Sequence, residues 1–532
     1  MTDWVPSEHG KQPGGLQRRV ARGLTWTLVD TWGSQLLAFV IFTILANTLA
    51  PEDFGLVALA AVFVSLGQLF VDQGLGDAVV QRASLTRRQI DTAFWASVAT
   101  GIALTIIGYL IAAPLARFLG DVRLEPIIQV LSIIFVLVAL SSIQMGILRR
   151  ELDFRGLAIR KLLAIGLGGV VGVYMALAGY GAWALVGQQL AMAVVTVVAM
   201  WAVSPWRPGF SFAREDFRSL FSFGINIVGQ DFLAFISRNT DNLLIGVFLG
   251  PAALGYYAVA YRILDTSQIL LVAAARRLVF PSFSRLQHNV ERMRRAYARM
   301  SRASGALTLP GYVGLALVAG EAIPVLFGEQ WRPSVPVAQL LFLIGPAHTI
   351  QAFSGAVWSA VGQPQIGLRF RLIATATNVV GFLIAVLVFG TIIAVAAAYT
   401  IRSYLLLPLN LYWLRKYAHV PIRAQLSSFR GVAAATAIMT VAVIGVKLLM
   451  DANFKPAFLL IVEVAVGAIV YLIALVIFER ALVRELVGLG IQVVPGSERI
   501  ANRLGIRAHL PKVTDPRDDD ELTSEIQKDE DL

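Results

Sequence analysis

Arginine and lysine are distributed so unevenly along this chain that they constrain its architecture before any motif is considered. Of the 45 such residues, 37 lie at the two ends or in, and directly beside, alternate segments between apolar stretches, and only 4 lie in the intervening segments. There are fourteen apolar stretches, the first two at 24–49 and 54–79, the seventh and eighth at 217–249 and 252–275. An apolar helix of roughly 20 residues crosses about 30 Å of hydrocarbon, so each stretch is long enough to span a bilayer. Basic segments beside a span resist translocation, which places the arginine-rich side and both termini in the cytoplasm.

The composition agrees with this. At 57% hydrophobic and 15% charged residues the chain has too little polar surface for a soluble globule. A net charge of +11 could indicate a nucleic-acid partner. The basic residues sit beside spans, however, so they are read as topology signals and contacts to anionic membrane lipids, with no nucleic acid expected. The densest segment, 276–302, carries eight arginines. Absence of cysteine excludes disulfides and thiol chemistry. Residues before Leu24 lack the apolar core and cleavage site of a signal peptide, so the first span is expected to be retained.

A weak internal repeat organises the spans. Leu49-Ala50-Pro51-Glu52-Asp53-Phe54-Gly55 at the first junction recurs as Leu249-Gly250-Pro251-Ala252-Ala253-Leu254-Gly255, and Ala58, Ala60 and Gln68 match Ala258, Ala260 and Gln268. A second echo pairs Pro126, Gln129 and Leu131 with Pro336, Gln339 and Leu341. The expected fold is therefore an all-α integral membrane protein of about 14 helices. Two six-helix lobes are related by a pseudo-twofold axis along the membrane normal, with a cleft between them and two further C-terminal helices. The segments are a tail at 1–23, an N-lobe at 24–203, a linker at 204–216 and a C-lobe at 217–414. The last two spans with their preceding loop follow at 415–478, then an amphipathic segment and acidic tail at 479–532.

These junctions, together with Asp72-Gln73-Gly74-Leu75-Gly76-Asp77-Ala78-Val79-Val80-Gln81-Arg82, resemble the polysaccharide transporter branch of the multidrug/oligosaccharidyl-lipid/polysaccharide exporter superfamily. The likeness covers about residues 18–417 and is nearest to Wzx-type flippases of the colanic acid exporter kind. It implies a rocking transporter in a bacterial inner membrane, moving a polyprenyl-diphosphate-linked oligosaccharide repeat unit between leaflets for extracellular polysaccharide or lipopolysaccharide biosynthesis. It also implies contact with polysaccharide polymerase or assembly proteins. The competing readings are a drug/cation antiporter of the same superfamily and a membrane glycosyltransferase or polymerase.

Charge inside a span is costly and marks a cavity or a partner, so the intramembrane polar residues give an independent reading. On a helix, Asp231, Arg238 and Asn242 fall within about 40° of one another, with Gln230 flanking them. Arg238, Arg402 and Arg262 are the candidates for a cationic cleft that holds a diphosphate, with Asn242 and Gln230 beside them, because guanidinium stays charged on burial and pairs bidentately with phosphate oxygens. Asp241 and Asp265 stand three residues after Arg238 and Arg262 and are the candidates for structural helix-internal ion pairs, the alternative to a free cationic cleft. Asp30 and Asp231, acids in the first span of each lobe, are the candidates for coupling to H+ or Na+. Lys447 is expected to snorkel to a membrane surface, with Glu321 and Glu463 peripheral.

Catalytic chemistry finds little support. The histidines, at 9, 288, 348, 419 and 509, form no metal-spaced pair, and no Walker A motif is present. No enzyme activity, metal or cofactor is expected.

Overall fold

The computed structural model describes residues 29–72, 86–151, 154–283, 290–450 and 454–484, without the side chains at 29–30, 72, 154, 220–227, 230, 272–283, 290–295 and 424. These residues form helices joined by short turns, with no β-strand. In chain order they are α1 (Ser34–Thr48, after a π-turn at Val29–Gly33), α2 (Pro51–Asp72), α3 (Arg87–Phe118), α4 (Leu124–Arg150), α5 (Phe154–Leu177), α6 (Ala182–Val203) and α7 (Arg214–Phe248). Then come α8 (Pro251–Phe283), α9 (Val290–Phe327), α10 (Ser334–Ala360), α11 (Pro364–Phe389), α12 (Ile392–Ala418), α13 (Arg430–Met450) and α14 (Pro456–Phe478).

Twelve of these are long and apolar enough to cross a membrane; α7 and α8 are not among them. Both have the length, at 35 and 33 residues, but each carries charge in its middle. Helix ends also differ from apolar ends. The segment 276–302 was expected as a loop, yet α8 continues to Phe283 and α9 resumes at Val290. Arginine is a good helix former, so hydrogen bonding runs past the apolar stretch. At α3, Thr86 and Gln89 form a reciprocal capping box that starts the helix at Arg87, five residues before the third apolar stretch opens at Thr92. Elsewhere spans break: α10 is interrupted near Gly345-Pro346 and α12 at Leu406, where a proline follows at the second position of the next segment and cannot continue the preceding helix.

Within the first lobe α1 packs on α5, α5 on α6, α6 on α4 and α4 on α3; within the second, α8 packs on α9 and α10, α7 on α11, and α12 on both α10 and α11. The lobes meet chiefly through α2 and α8. Here the repeat becomes physical. A Cβ on Gly55 would run into the Pro251 carbonyl, and one on Gly255 would run into that of Pro51. Such reciprocity, residue i on j and j on i, is what a twofold axis between two parallel helices produces.

Around this crossing the junction end is closed by hydrogen bonds between lobes. The last carbonyls of α1 have no partner within their own helix. Trp331 Nε1 and Gln330 Nε2 donate to Ala46 O, each at 2.8 Å, and Asn47 Nδ2 donates to Leu326 O at 2.6 Å. Trp331, fully buried, meets Phe54 edge-on at 5.3 Å and Tyr256 at 6.0 Å.

The helices α13 and α14 pack on each other and on α9. Lys447 does not simply snorkel. Its Nζ lies 2.8 Å from Glu321 on α9 and 3.7 Å from Glu463 on α14, the latter wholly buried. A buried carboxylate without a cation is costlier than bending a lysine inward, so the three groups tie the C-terminal pair to the second lobe.

Candidate functional site

Away from the closed junction the helices diverge around a cavity of about 1170 Å³. Among the described residues its walls come almost entirely from the second lobe: α7, α8, α9, α10 and, through Tyr399, α12. The first lobe contributes Ser65 and Leu69 of α2. A symmetric cleft is thus replaced by one built in a single lobe and covered by a helix of the other. Asn242 and Ala258, its residues nearest the junction, stand about two turns from it.

The polar stripe expected on α7 faces this cavity. Asp231, Arg238 and Asn242 all line it, and the first two are exposed. From α8 come Arg262 and Asp265. Among the described residues no ion pair joins Arg238 to Asp241 or Arg262 to Asp265. Asp241 turns instead into the helix packing, where it accepts hydrogen bonds from Tyr257 Oη at 2.8 Å and from the backbone N–H of Asn242 at 2.9 Å. A buried hydroxyl partner and a local amide satisfy its oxygens, which leaves the Arg238 guanidinium to the cavity. Asp265 lines the cavity beside Arg262 without closing on it.

Arg402 stands behind the wall. Its Nε donates to Asn378 Oδ1 of α11 at 2.7 Å and its guanidinium covers the Tyr399 ring at 4.8 Å. Tyr399 is the residue that reaches the cavity. The side chains of Gln230 and Asp30 lie outside the described residues.

Sequence reasoning missed a second wall. Ser304, Thr308 and Tyr312 of α9 line the cavity beside the charged helices, with His348, Thr349 and Gln351 of α10. Thr308 and Thr349 share a hydrogen bond of 2.8 Å, and His348 meets Tyr399 edge-on at 6.4 Å. Spacing could have found the α9 face, since residues 304, 308 and 312 recur every four positions, but uncharged hydroxyls in an apolar span look like ordinary helix packing. His348 was set aside for want of a nearby histidine or acid in sequence.

The first lobe has a smaller pocket of about 480 Å³ lined by Ser34, Gln35, Lys161, Gln188 and Gln189, and Arg262 reaches it as well. That arginine touches both chambers. No group of three or more histidines or acids suited to a metal occurs among the described residues.

Comparison with known proteins gives the chain's family and its fold. Residues 44–336 match the polysaccharide biosynthesis protein family. The chain is 28% identical over 482 residues to the succinoglycan biosynthesis transport protein ExoT of Rhizobium meliloti (strain 1021), covering 88% of this chain and 95% of that one. It is 26% identical over 472 residues to the teichuronic acid biosynthesis protein TuaB of Bacillus subtilis (strain 168), covering 87% and 96%. Among solved structures, the lipid II flippase MurJ in an inward closed conformation superposes with a TM-score of 0.72 at 15% identity, over 86% of this chain and all of that one.

Proposed function

The chain belongs to the polysaccharide biosynthesis protein family, and from that premise we propose that it is a flippase, not an enzyme, which carries a polyprenyl-diphosphate-linked oligosaccharide across the cytoplasmic membrane. The observation that carries the reading is the pair of arginines, 238 and 262, facing a large cavity without an acid paired to either among the described residues. A diphosphate with a sugar chain cannot cross hydrocarbon unaided, so a carrier must offer it a wet, cationic chamber while the lipid tail stays in the bilayer. Arginine suits the diphosphate because its planar fork engages two oxygens at once and does not lose its charge.

In this reading the chain has fourteen spans, α7 and α8 included, with both termini in the cytoplasm. The closed Trp331 junction then faces outward and the cavity faces the cytoplasm, where the substrate is made. Arg402 backs the site by holding Tyr399, and the drug-antiporter alternative is less suited to a chamber presenting two arginines. Asp231, exposed in the cavity, and Asp30 are the coupling candidates for a proton or sodium gradient.

The test is transport of labelled lipid-linked oligosaccharide in proteoliposomes, with and without imposed gradients. Gradient-driven flux that is lost in Asp231→Asn or Asp30→Asn supports the assignment; flux indifferent to both gradients removes ion coupling, and no flux at all removes the flippase. Sidedness is checked separately in this cysteine-free chain. Cysteine at Val122, exposed at the junction end, should react with an impermeant reagent outside intact cells, and cysteine at Phe210, exposed in the interlobe linker, should not.

A further inference from the structure

The cavity has two chemically different walls. Among the described residues, every Asp and Arg that lines it stands on α7 or α8, whereas those lining it from α9 and α10 include no Asp, Glu, Lys or Arg. A chamber that only held a diphosphate would need the first wall alone. On the second wall, the side-chain oxygens of Ser304 and Tyr312 are buried and have no hydrogen-bond partner among the described residues. Asn242 Oδ1, on α7, is in the same state. Ser304 and Tyr312 are 3% and 1% exposed, so solvent contact does not account for them. Buried polar groups are nearly always paired in native proteins, and unpaired ones among the residues lining a cavity ask for a ligand that supplies the partners.

The packing holds this wall in place. Thr308, between Ser304 and Tyr312 on the same helix face, is committed to Thr349 and to the Ser304 carbonyl, which fixes α9 against α10. The Tyr312 ring lies directly on the α10 backbone at Gly345, where any Cβ would run into it. The ring is thus seated while its hydroxyl is left uncommitted. His348 and the Tyr399 ring complete the wall with an imidazole and an aromatic surface.

Hydroxyl, amide and imidazole groups beside aromatic rings match the chemistry of a glycose unit, whose neighbouring hydroxyls both donate and accept and whose C–H faces pack on rings. We propose that the α9–α10 wall is a saccharide subsite, in which Ser304, Tyr312 and Asn242 hydrogen-bond sugar hydroxyls while the diphosphate lies against Arg238 and Arg262. The proposal rests on the flippase reading and adds to it where the carrier distinguishes one glycan from another. A site built to bond a hydroxyl strongly rejects a ligand that lacks it, so these side chains set glycan selectivity, and the arginines bind the diphosphate whichever glycan is attached.

The experiment compares two probes on the full chain in lipid nanodiscs: bare undecaprenyl diphosphate, and the undecaprenyl-diphosphate-linked oligosaccharide extracted from the membranes of cells that make this protein. Wild type should bind the glycosylated lipid more tightly. Tyr312→Phe and Ser304→Ala should each weaken that binding by about tenfold and leave the bare lipid unchanged. Gly345→Ala, which displaces the ring without touching the hydroxyl, should show the same selective loss, and Arg238→Ala should weaken both probes. Equal weakening of both probes by Tyr312→Phe, or no change in either, overturns the subsite. Wild type that binds both lipids equally also overturns it while leaving the flippase standing, whereas wild type that binds neither overturns the flippase reading and the subsite with it.

Discussion

Helices α2 and α8 are two copies of one design, put to different uses. Both begin with a proline and carry a glycine four residues later, and each glycine receives the other copy's proline carbonyl. Beyond the first turns the side chains diverge. Where α2 has Val57, Ala61, Val62 and Ser65, α8 has Tyr257, Tyr261, Arg262 and Asp265. Val57 and Val62 pack into the core, whereas Tyr261, Arg262 and Asp265 line the cavity. Even the turns before them differ in device. Gly250 turns with φ of 87°, a left-handed conformation that favours glycine, while at the equivalent Ala50 the backbone N–H donates to Asp53 Oδ2 at 3.1 Å. The lesson is that the backbone crossing preserves the twofold frame, and side chains below it are free to make one lobe a wet chamber and the other mainly its support.

The most damaging challenge to this comparison is steric. Gly55→Val and Gly255→Val should each cost about 3 kcal/mol or more, since a side chain meets backbone that cannot yield. Thermal unfolding of the purified proteins and their membrane levels should fall alike for both; a large drop in one and not the other breaks the twofold crossing.

A chemical challenge comes next. Arg238→Ala should weaken substrate engagement by roughly 2 kcal/mol, on the order of thirtyfold, at unchanged protein level. Lysine at 238 should restore only part of it. Normal export by the alanine variant would remove the cationic wall from the mechanism, and with it the functional difference between the lobes.

Smaller is the effect of Trp331→Phe, which keeps an aromatic ring in the junction but removes the donor to Ala46 O. The closed junction should lose about 1 kcal/mol, seen as a modest fall in melting temperature. An unchanged melting temperature would mean that ring packing alone closes this end.

Smallest is the surface network at the same end. Arg123 reaches Asp121 at 2.7 Å and Glu52 at 2.6 Å, which holds the Asp121 carboxyl below its ordinary value of 3.8 and raises the Arg123 guanidinium. A carboxyl lowered on folding stabilises the protein above its unfolded value and loses that contribution as pH falls through the folded one. Asp121→Asn should therefore cost at most about 1 kcal/mol, constant from roughly pH 8 to 5, and nothing once the pH is well below 3.8. A difference that changes between pH 8 and 5 would show that another group titrates at this junction.

The alternating basic segments and the echo of Pro51 in Pro251 made the spans and the two-lobe frame readable, because bilayer thickness and helix rise leave few ways to arrange such stretches. The stripe of Asp231, Arg238 and Asn242 was readable for the same reason: helical phase alone puts them on one face. The partners were not. Helical spacing matched Arg238 with Asp241, but that carboxylate found Tyr257 on the next helix, and Arg402 found Asn378 and Tyr399 where a ligand contact was expected. Periodicity within one helix is a property of the chain, whereas which neighbour lies across the gap depends on how helices pack. Only the tertiary structure could bring Ser304, Tyr312 and His348 to one wall, because a lone hydroxyl or imidazole in an apolar stretch has no meaning until another helix faces it. The sequence by itself determined a membrane-spanning, duplicated, all-helical chain with charge on one helix face. The packing decided that the chamber belongs to the second lobe, since cavities arise from where side chains of separate helices fail to meet.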